Sequence, residues 1–217
     1  MPNSIICNFK INNLINHWYR PLNALSILLY PFSLIYQGIV KCRFWLYRLG
    51  FKKTIHLPVP VIVVGNLSVG GNGKSPLVVC LARYFKSQGL KPGIVARGYK
   101  GQAKTWPQTV TENSDPNLVG DEAVMLAHQT QVPVVVAPKR VEAAQQLLRD
   151  FDCDLILSDD GLQHYALARD LEIIVLDGRH RLGNRLCLPA GPLRENAKRL
   201  RQVDFVVING GVAEVGE

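Results

Sequence analysis

The densest chemistry in this sequence lies in VVGNLSVGGNGKSP, Val63 to Pro76, where an apolar run enters a glycine-rich turn that ends in Lys-Ser. Such a turn, made of Ser68, Val69, Gly70, Gly71, Asn72 and Gly73, lets backbone N–H groups close around phosphate oxygens. Lys74 then reaches the β- and γ-phosphates, and the Ser75 hydroxyl can ligate Mg²⁺. The helix expected to start there adds the partial positive charge of its N-terminus. Ser68 stands where the common G-x-x-x-x-G-K-[ST] pattern has its first glycine. The plain alternative is a structural turn with an incidental Lys-Ser; a strand before it and a helix after it weigh against that.

Three further groups carry reactive side chains. In DLILSDDGLQH, Asp154 to His164, a hydrophobic run ends in Asp159-Asp160, the place from which an acid on a neighbouring strand holds Mg²⁺ beside a phosphate loop. An Asp-Asp-Gly turn is the bland reading. Gln163 and His164 are placed to face the same site from the following turn. Gly120-Asp121-Glu122 opens a helix, where acids commonly serve only its dipole. A hydroxyl attacking a γ-phosphate must lose its proton, however, and Asp121 is the candidate base. In GNRLCLPAGPLRE, Gly183 to Glu195, Arg194 can clamp a phosphate bidentately and Glu195 can orient it, unless the two form only a solvated ion pair.

The elements that must position these groups alternate. A β-branched run at 59–66 reads as a strand buried on both faces, followed by a helix at 75–87 with Gly89 as C-cap candidate and a strand at 92–99. Residues 101–120 read as a long polar loop. A helix at 121–129, a strand at 132–137, a helix at 141–148 and strands at 154–158, 172–177 and 204–208 complete the series. Such alternation implies an α/β fold, a three-layer sandwich of the P-loop NTPase kind around a mostly parallel sheet.

Composition narrows the class. Five cysteines stand singly, with no CxxC pair, so neither a disulfide framework nor a zinc site is expected. The first 111 residues hold 14 Lys or Arg and no acid, while the other 106 hold 11 basic and 17 acidic residues. An all-basic first half points to an anionic partner. From Pro21 to Val40 runs an uncharged stretch of 20 residues, with Trp18, Tyr19 and Arg20 before it and Lys41, Arg43, Trp45 and Arg48 after it. Its length and its aromatic and basic flanks suit a membrane helix, spanning or interfacial. Pro31 in the middle weakens a straight span, and a buried helix of a soluble protein is the third reading.

The segments GNLSVGGNGKSP, RGYKG (97–101), GDE (120–122), DDGLQHYALARD (159–170) and LPAGPLRE (188–195), in this order, resemble the tetraacyldisaccharide 4′-kinase family, the lipid A 4′-kinases of Gram-negative bacteria. The resemblance implies transfer of the ATP γ-phosphate to the 4′-hydroxyl of an acylated glucosamine disaccharide 1-phosphate, giving lipid IVA. It implies ATP and Mg²⁺ as cofactors, with Lys74 and Ser75 on the nucleotide, Ser75, Asp160 and Gln163 at the metal, and Asp121, Asp159, Asp160 and Lys74 in catalysis. Glu122, His164, Arg194 and Glu195 then face the substrate. Residues 1–53 would be a membrane-associating helical segment at the cytoplasmic face of the inner membrane, in contact with inner-leaflet lipid, and 54–217 the P-loop kinase domain. The family continues into a further C-terminal lobe, including a histidine thought to pair with the Asp121 equivalent; this chain is expected to lack that lobe. Two other readings compete. A membrane-recruited regulatory P-loop ATPase would carry a signature Lys five residues before Lys74, where Val69 stands. A module binding anionic lipid or nucleic acid leaves Lys74-Ser75 and Asp159-Asp160 unexplained, and nucleic acid is not expected as a partner.

Overall fold

The computed structural model describes residues 17–19, 21–70 and 73–210. Gly71 and Asn72 of the expected phosphate loop, Arg20, and residues 1–16 and 211–217 of the two expected segments lie outside the described residues.

Valine and isoleucine runs make the inner strands, since β-branched side chains pack well on a sheet buried on both faces, while the edge strand at 205–209 is largely exposed. Among the described residues these are β1 (Val61–Gly65), β2 (Pro92–Ala96), β3 (Gln108–Val110), β4 (Val134–Val136), β5 (Leu155–Asp159), β6 (Leu171–Asp177) and β7 (Phe205–Asn209). They form one sheet in the order β3-β4-β2-β5-β1-β6-β7, parallel except for β3, which runs antiparallel to β4. The helices are α1 (Ala24–Arg48), α2 (Lys74–Ser87), the short α3 (Pro116–Val119), α4 (Asp121–Thr130) and α5 (Arg140–Asp150).

Alternate strand residues serve opposite faces. Val64, Ile94, Val136, Leu157 and Val175 pack with Val78 and Ala82 of α2 and Leu126 of α4. Val61, Val63, Val95 and Ile156 pack with Ala143, Ala144 and Leu147 of α5. Helices on both faces make the expected three-layer sandwich. Beside α5 on the same face, Ile174 and Leu176 of β6 pack with Leu162, Leu193 and Cys187, with Tyr36 of α1 against them.

The stretch 101–120, expected to be loop throughout, contains β3 and α3. Thr109 and Val110 pair with β4 at the sheet edge, and Pro116 with the Asp115 side chain, which accepts from Asn117 N at 2.9 Å, starts a helical turn. Both are short enough to show no periodicity. α2 ends at Ser87 with Gln88 as its C-cap, and Gly89 follows at φ +81°, the left-handed position that favours glycine after a helix.

α1 runs unbroken through Pro31 and past Val40 to Arg48. Its burial is inverted for a helix on a soluble body. Ser26 and Ser33 are fully buried, whereas Leu28, Phe32, Ile35 and Ile39 are each at least 60% exposed. The serines face the body because they bond to it: Ser33 Oγ donates to Cys187 O at 2.8 Å and accepts from Ala190 N at 3.0 Å. Asn184 Nδ2 reaches Ser26 Oγ at 3.2 Å. Phe44 and Tyr47 extend the docked strip by packing on Tyr165.

Candidate active site

The reactive residues sit at the C-terminal ends of the parallel strands, the edge where open α/β sheets bind ligands. β1 runs into the glycine-rich loop, and β5 lies next to it in register, with Val64 opposite Asp159. Asp159 and Asp160 thus emerge beside the start of α2. Gly73 ends the loop at φ +82°, a left-handed conformation that favours glycine, and a Cβ there would also press the Asn209 side chain of β7 aside.

Ser75 Oγ is within hydrogen-bond reach of two carboxylates, Asp159 Oδ2 at 3.1 Å and Glu122 Oε1. One hydroxyl has one proton to donate, so two anions face each other across it. Asp159 is only 3% exposed, and burial, then the nearby Glu122, push its carboxyl up to about 6 against the pull of Lys74 and Ser75. Its Oδ1 is buried with no hydrogen-bond partner among the described residues. A buried, partly unsatisfied Asp159 facing the exposed Glu122 across a serine hydroxyl fits a divalent cation. Mg²⁺ takes one or two carboxylates and completes its shell with phosphate and water, so a full protein cage is not needed. Indeed, no group of three or more His, Cys, Asp or Glu side chains that could hold a metal gathers among the described residues.

Asp160 takes a different part. It sits at φ +48°, a left-handed conformation uncommon outside glycine, which turns it off the strand. Lys74 Nζ lies 3.8 Å from Asp160 Oδ1, and Arg194 NH1 is 3.1 Å from both carboxylate oxygens. Burial raises the Asp160 carboxyl, but Lys74 and Arg194 outweigh it and hold the group below the ordinary carboxylate range. Asp160 therefore organises the two cations that a phosphate chain would meet.

Arg194 is brought there by the Pro/Gly-stiffened loop. Val69 N donates to Pro192 O at 2.9 Å and Arg194 N to Leu67 O at 2.6 Å, which ties this loop to the glycine-rich one. Arg194 and Glu195 do not pair with each other. Glu195, 5% exposed, accepts from Gln163 Nε2 at 2.9 Å and Tyr165 Oη at 2.8 Å, and Arg199 Nε lies 3.6 Å away. Gln163 also reaches the Asn66 carbonyl at 3.5 Å, so its amide is engaged with Glu195 and the loop rather than with Ser75.

A cavity of about 480 Å³ opens over these groups, lined by Val69, Gly70, Lys74, Glu122, Asp159, Asp160 and Arg194 with Arg97, Gly98, Tyr99 and Arg140. Glu122 lines it. Asp121 does not; it is exposed at the helix start, and its Oδ1 accepts from Glu122 N at 3.0 Å. Burial, then Arg140 and Arg97, lower the His164 imidazole to about 4, so it is neutral at pH 7 and brings no charge to an anion.

Arg140, 1% exposed, lines the cavity although motif reading gave it no role. Its NH2 donates to Asp159 O at 3.0 Å and its NH1 to Ala137 O at 3.2 Å. Burial lowers its guanidinium to about 10, with Asp159 and Asp160 pulling the other way, so it stays cationic at pH 7. Its signal was faint, an arginine in the first turn of a helix that follows a strand. Arg97 and Tyr99 stood in RGYKG without a role.

Comparison with known proteins bears on the same residues. Residues 25–217 match the family model described as tetraacyldisaccharide-1-P 4′-kinase. A tetraacyldisaccharide 4′-kinase of Coxiella burnetii (strain RSA 493 / Nine Mile phase I) is 56% identical over 190 residues, 88% of this chain and 58% of the relative. One from Nitrosococcus oceani is 53% identical over 197 residues, 91% of this chain and 58% of the relative. The chain thus spans about three-fifths of the length of these curated relatives. Among solved structures, LpxK from Aquifex aeolicus in complex with ATP superposes with a TM-score of 0.79 at 37% identity, covering 89% of this chain and 61% of that one.

Proposed function

Since the chain belongs to the tetraacyldisaccharide-1-P 4′-kinase family, we propose that it takes part in moving the γ-phosphoryl group of ATP to the 4′-hydroxyl of an acylated glucosamine disaccharide 1-phosphate. The product is lipid IVA, a precursor of lipopolysaccharide. The observation that carries this reading is the meeting of Lys74 and Arg194 on Asp160 at the mouth of the glycine-rich loop, with Ser75, Asp159 and Glu122 beside them.

Phosphoryl transfer asks little covalent chemistry of a protein, and positioning and charge stabilisation do most of the work. Backbone N–H groups of the glycine-rich loop, where Gly70 lines the cavity, would meet the phosphate chain, while the Val69 N–H is held by Pro192 O. Lys74 and Arg194, both gathered on Asp160, place two positive charges where negative charge spreads over the moving group. Ser75, Asp159 and Glu122 would hold Mg²⁺, with Asp160 next to them on Lys74 and Arg194 and Gln163 braced on Glu195. When bound, the ion supplies neutralisation of the β/γ-phosphate oxygens. Arg140 fixes the Asp159 main chain from behind and keeps a buried positive charge under the acidic pair. Asp121, exposed at the start of α4 and next in sequence to the cavity-lining Glu122, would receive the acceptor hydroxyl proton as general base. Glu195 holds Gln163 and Tyr165, and with His164 and Glu122 shapes the acceptor side.

An acylated acceptor resides in a membrane, and α1 supports a place for the chain at its surface. The helix is long and apolar enough to cross a bilayer by length and composition. Its serines, though, are bonded to the body, and withdrawal of the helix across a bilayer would leave those bonds unmade. An interfacial helix keeps them and buries Leu28, Phe32, Ile35 and Ile39 in lipid. Lys41, Arg43 and Arg48 follow the apolar stretch, which suits anionic lipid on the cytoplasmic face of the inner membrane.

The test is transfer of ³²P from γ-labelled ATP to tetraacyldisaccharide 1-phosphate in detergent micelles. It compares this chain with a chimera that completes the length of the Nitrosococcus oceani relative. Labelled lipid IVA from the chimera or the chain is the expected result. ATP hydrolysis stimulated by anionic vesicles, with no labelled lipid from either, would replace the kinase by a regulatory ATPase.

A further inference from the structure

α1 is joined to the phosphate site by more than proximity. Ser33 fastens both ends of the turn 187–190, through Cys187 O at 2.8 Å and Ala190 N at 3.0 Å. One helical turn later, Tyr36 Oη donates to the main-chain carbonyl of Arg194 at 3.0 Å. From that residue the backbone N–H reaches Leu67 O at 2.6 Å, and the guanidinium reaches Asp160 at 3.1 Å. The lipid-directed helix and the phosphate loop therefore hold the carbonyl and the N–H of one residue, Arg194.

A helix that served only as an anchor would gain most by docking apolar residues, because a buried hydroxyl stabilises nothing unless its partner is well placed. α1 instead spends its buried strip on hydroxyls aimed at the arm that carries Arg194. We propose that Tyr36 and Ser33 are positioning residues of the phosphate site, which hold Arg194 at Asp160 and so tie the seating of α1 to the grip on the nucleotide. The consequence for turnover rests on the kinase reading; the consequence for nucleotide affinity rests only on Arg194 lining the cavity.

Tyr36→Phe removes the hydroxyl and keeps the ring against Leu193 and Cys187. Loss of one neutral hydrogen bond predicts a fall of about 2- to 12-fold in whatever depends on Arg194. The experiment is a double-mutant cycle of Tyr36→Phe with Arg194→Ala in the full chain. It is read as Mg-ATP affinity by calorimetry and as transfer rate at saturating ATP. Tyr36→Phe should weaken Mg-ATP binding in the wild-type background and change it by less than about 1.5-fold once Arg194 is gone. Equal losses in both backgrounds, as a general loosening of the fold would give, or no loss in the wild-type background, overturn the proposal. If Tyr36→Phe does not fold, Ser33→Ala takes its place in the same cycle. A wild type that binds Mg-ATP but transfers nothing overturns the kinase reading alone, and the affinity cycle still decides this one. A wild type that binds no Mg-ATP overturns both.

Discussion

Replacing Asp159 by asparagine should make the ligand-free protein more stable while abolishing its chemistry. Asp159 is ionised at neutral pH although it is buried and faces Glu122 across Ser75, and this strain raises its carboxyl to about 6. The folded state therefore binds that proton more tightly than the unfolded chain, whose aspartate titrates near 4. Stability attributable to this group is full below about pH 4, is lost as pH rises toward 6, and stays lost above. A shift of roughly two units corresponds to about 3 kcal/mol at most, and about 2 kcal/mol is reasonable for a pair coupled to Glu122. Asparagine keeps an oxygen for the Ser75 proton and carries no charge. In a domain of this size 2 kcal/mol raises the melting temperature by about 4–8 °C. The assay is calorimetric melting without nucleotide or divalent cation at pH 8 and at pH 4, where the gain should shrink to a fraction. An Asp159→Asn protein that melts lower than wild type at pH 8, or gains equally at both pH values, would refute the account. The added stabilisation by Mg-ATP should be largely lost in the same variant.

The remaining expectations concern the loop, the base and the helix. Lys74→Ala and Asp160→Ala should each abolish transfer in the ³²P assay, the first with a large fall in nucleotide affinity. Asp121→Ala should slow transfer by about 10²–10⁴-fold and leave Mg-ATP affinity within about 2-fold, as loss of a base outside the phosphate cavity's lining demands; a fall in affinity as deep as that of Lys74→Ala would remove it from that role. Gly73→Ala, at φ +82° and against Asn209, should lower stability by at least about 1 kcal/mol in denaturant unfolding and weaken nucleotide binding with it. Glutamate at both Phe32 and Ile35 should lower co-sedimentation with anionic vesicles by about 10-fold or more, since each apolar side chain contributes roughly 1.5–3 kcal/mol when buried.

Local patterns announced most of the frame. β-branched runs such as Val61–Val64 and Ile173–Val175 are fully buried strands in the structure, because few other conformations accommodate consecutive branched side chains. The turn at Gly73 was readable since its backbone demands glycine. β3 and α3 were missed because three or four residues held by pairing at a sheet edge and by one cap leave no period to read.

Roles within the site were less legible. Asp121 and Glu122 are adjacent in GDE, and the first turn of a helix points neighbours in different directions. Glu122 meets Ser75 from 47 residues away while Asp121 stays exposed and outside the cavity lining. Arg194 and Glu195 read as an orienting pair, yet each binds a different residue of the turn after β5. Arg140 carried no motif, and its importance arises from α5 starting at the C-terminal edge of the sheet beneath Asp159.

By itself the sequence determined which segments could be strands, which loop could cradle phosphate, and that the N-terminal helix was apolar enough for lipid; these follow from backbone sterics, glycine's freedom and side-chain hydrophobicity, all properties of neighbours along the chain. Only the tertiary structure decided that β5 lies beside β1 and so carries Asp159 to Ser75, 84 residues away. Only it decided that α1 turns its serines and Tyr36 inward. Such choices depend on which faces can be buried together and which hydrogen bonds survive that burial, and those are settled between elements rather than within them.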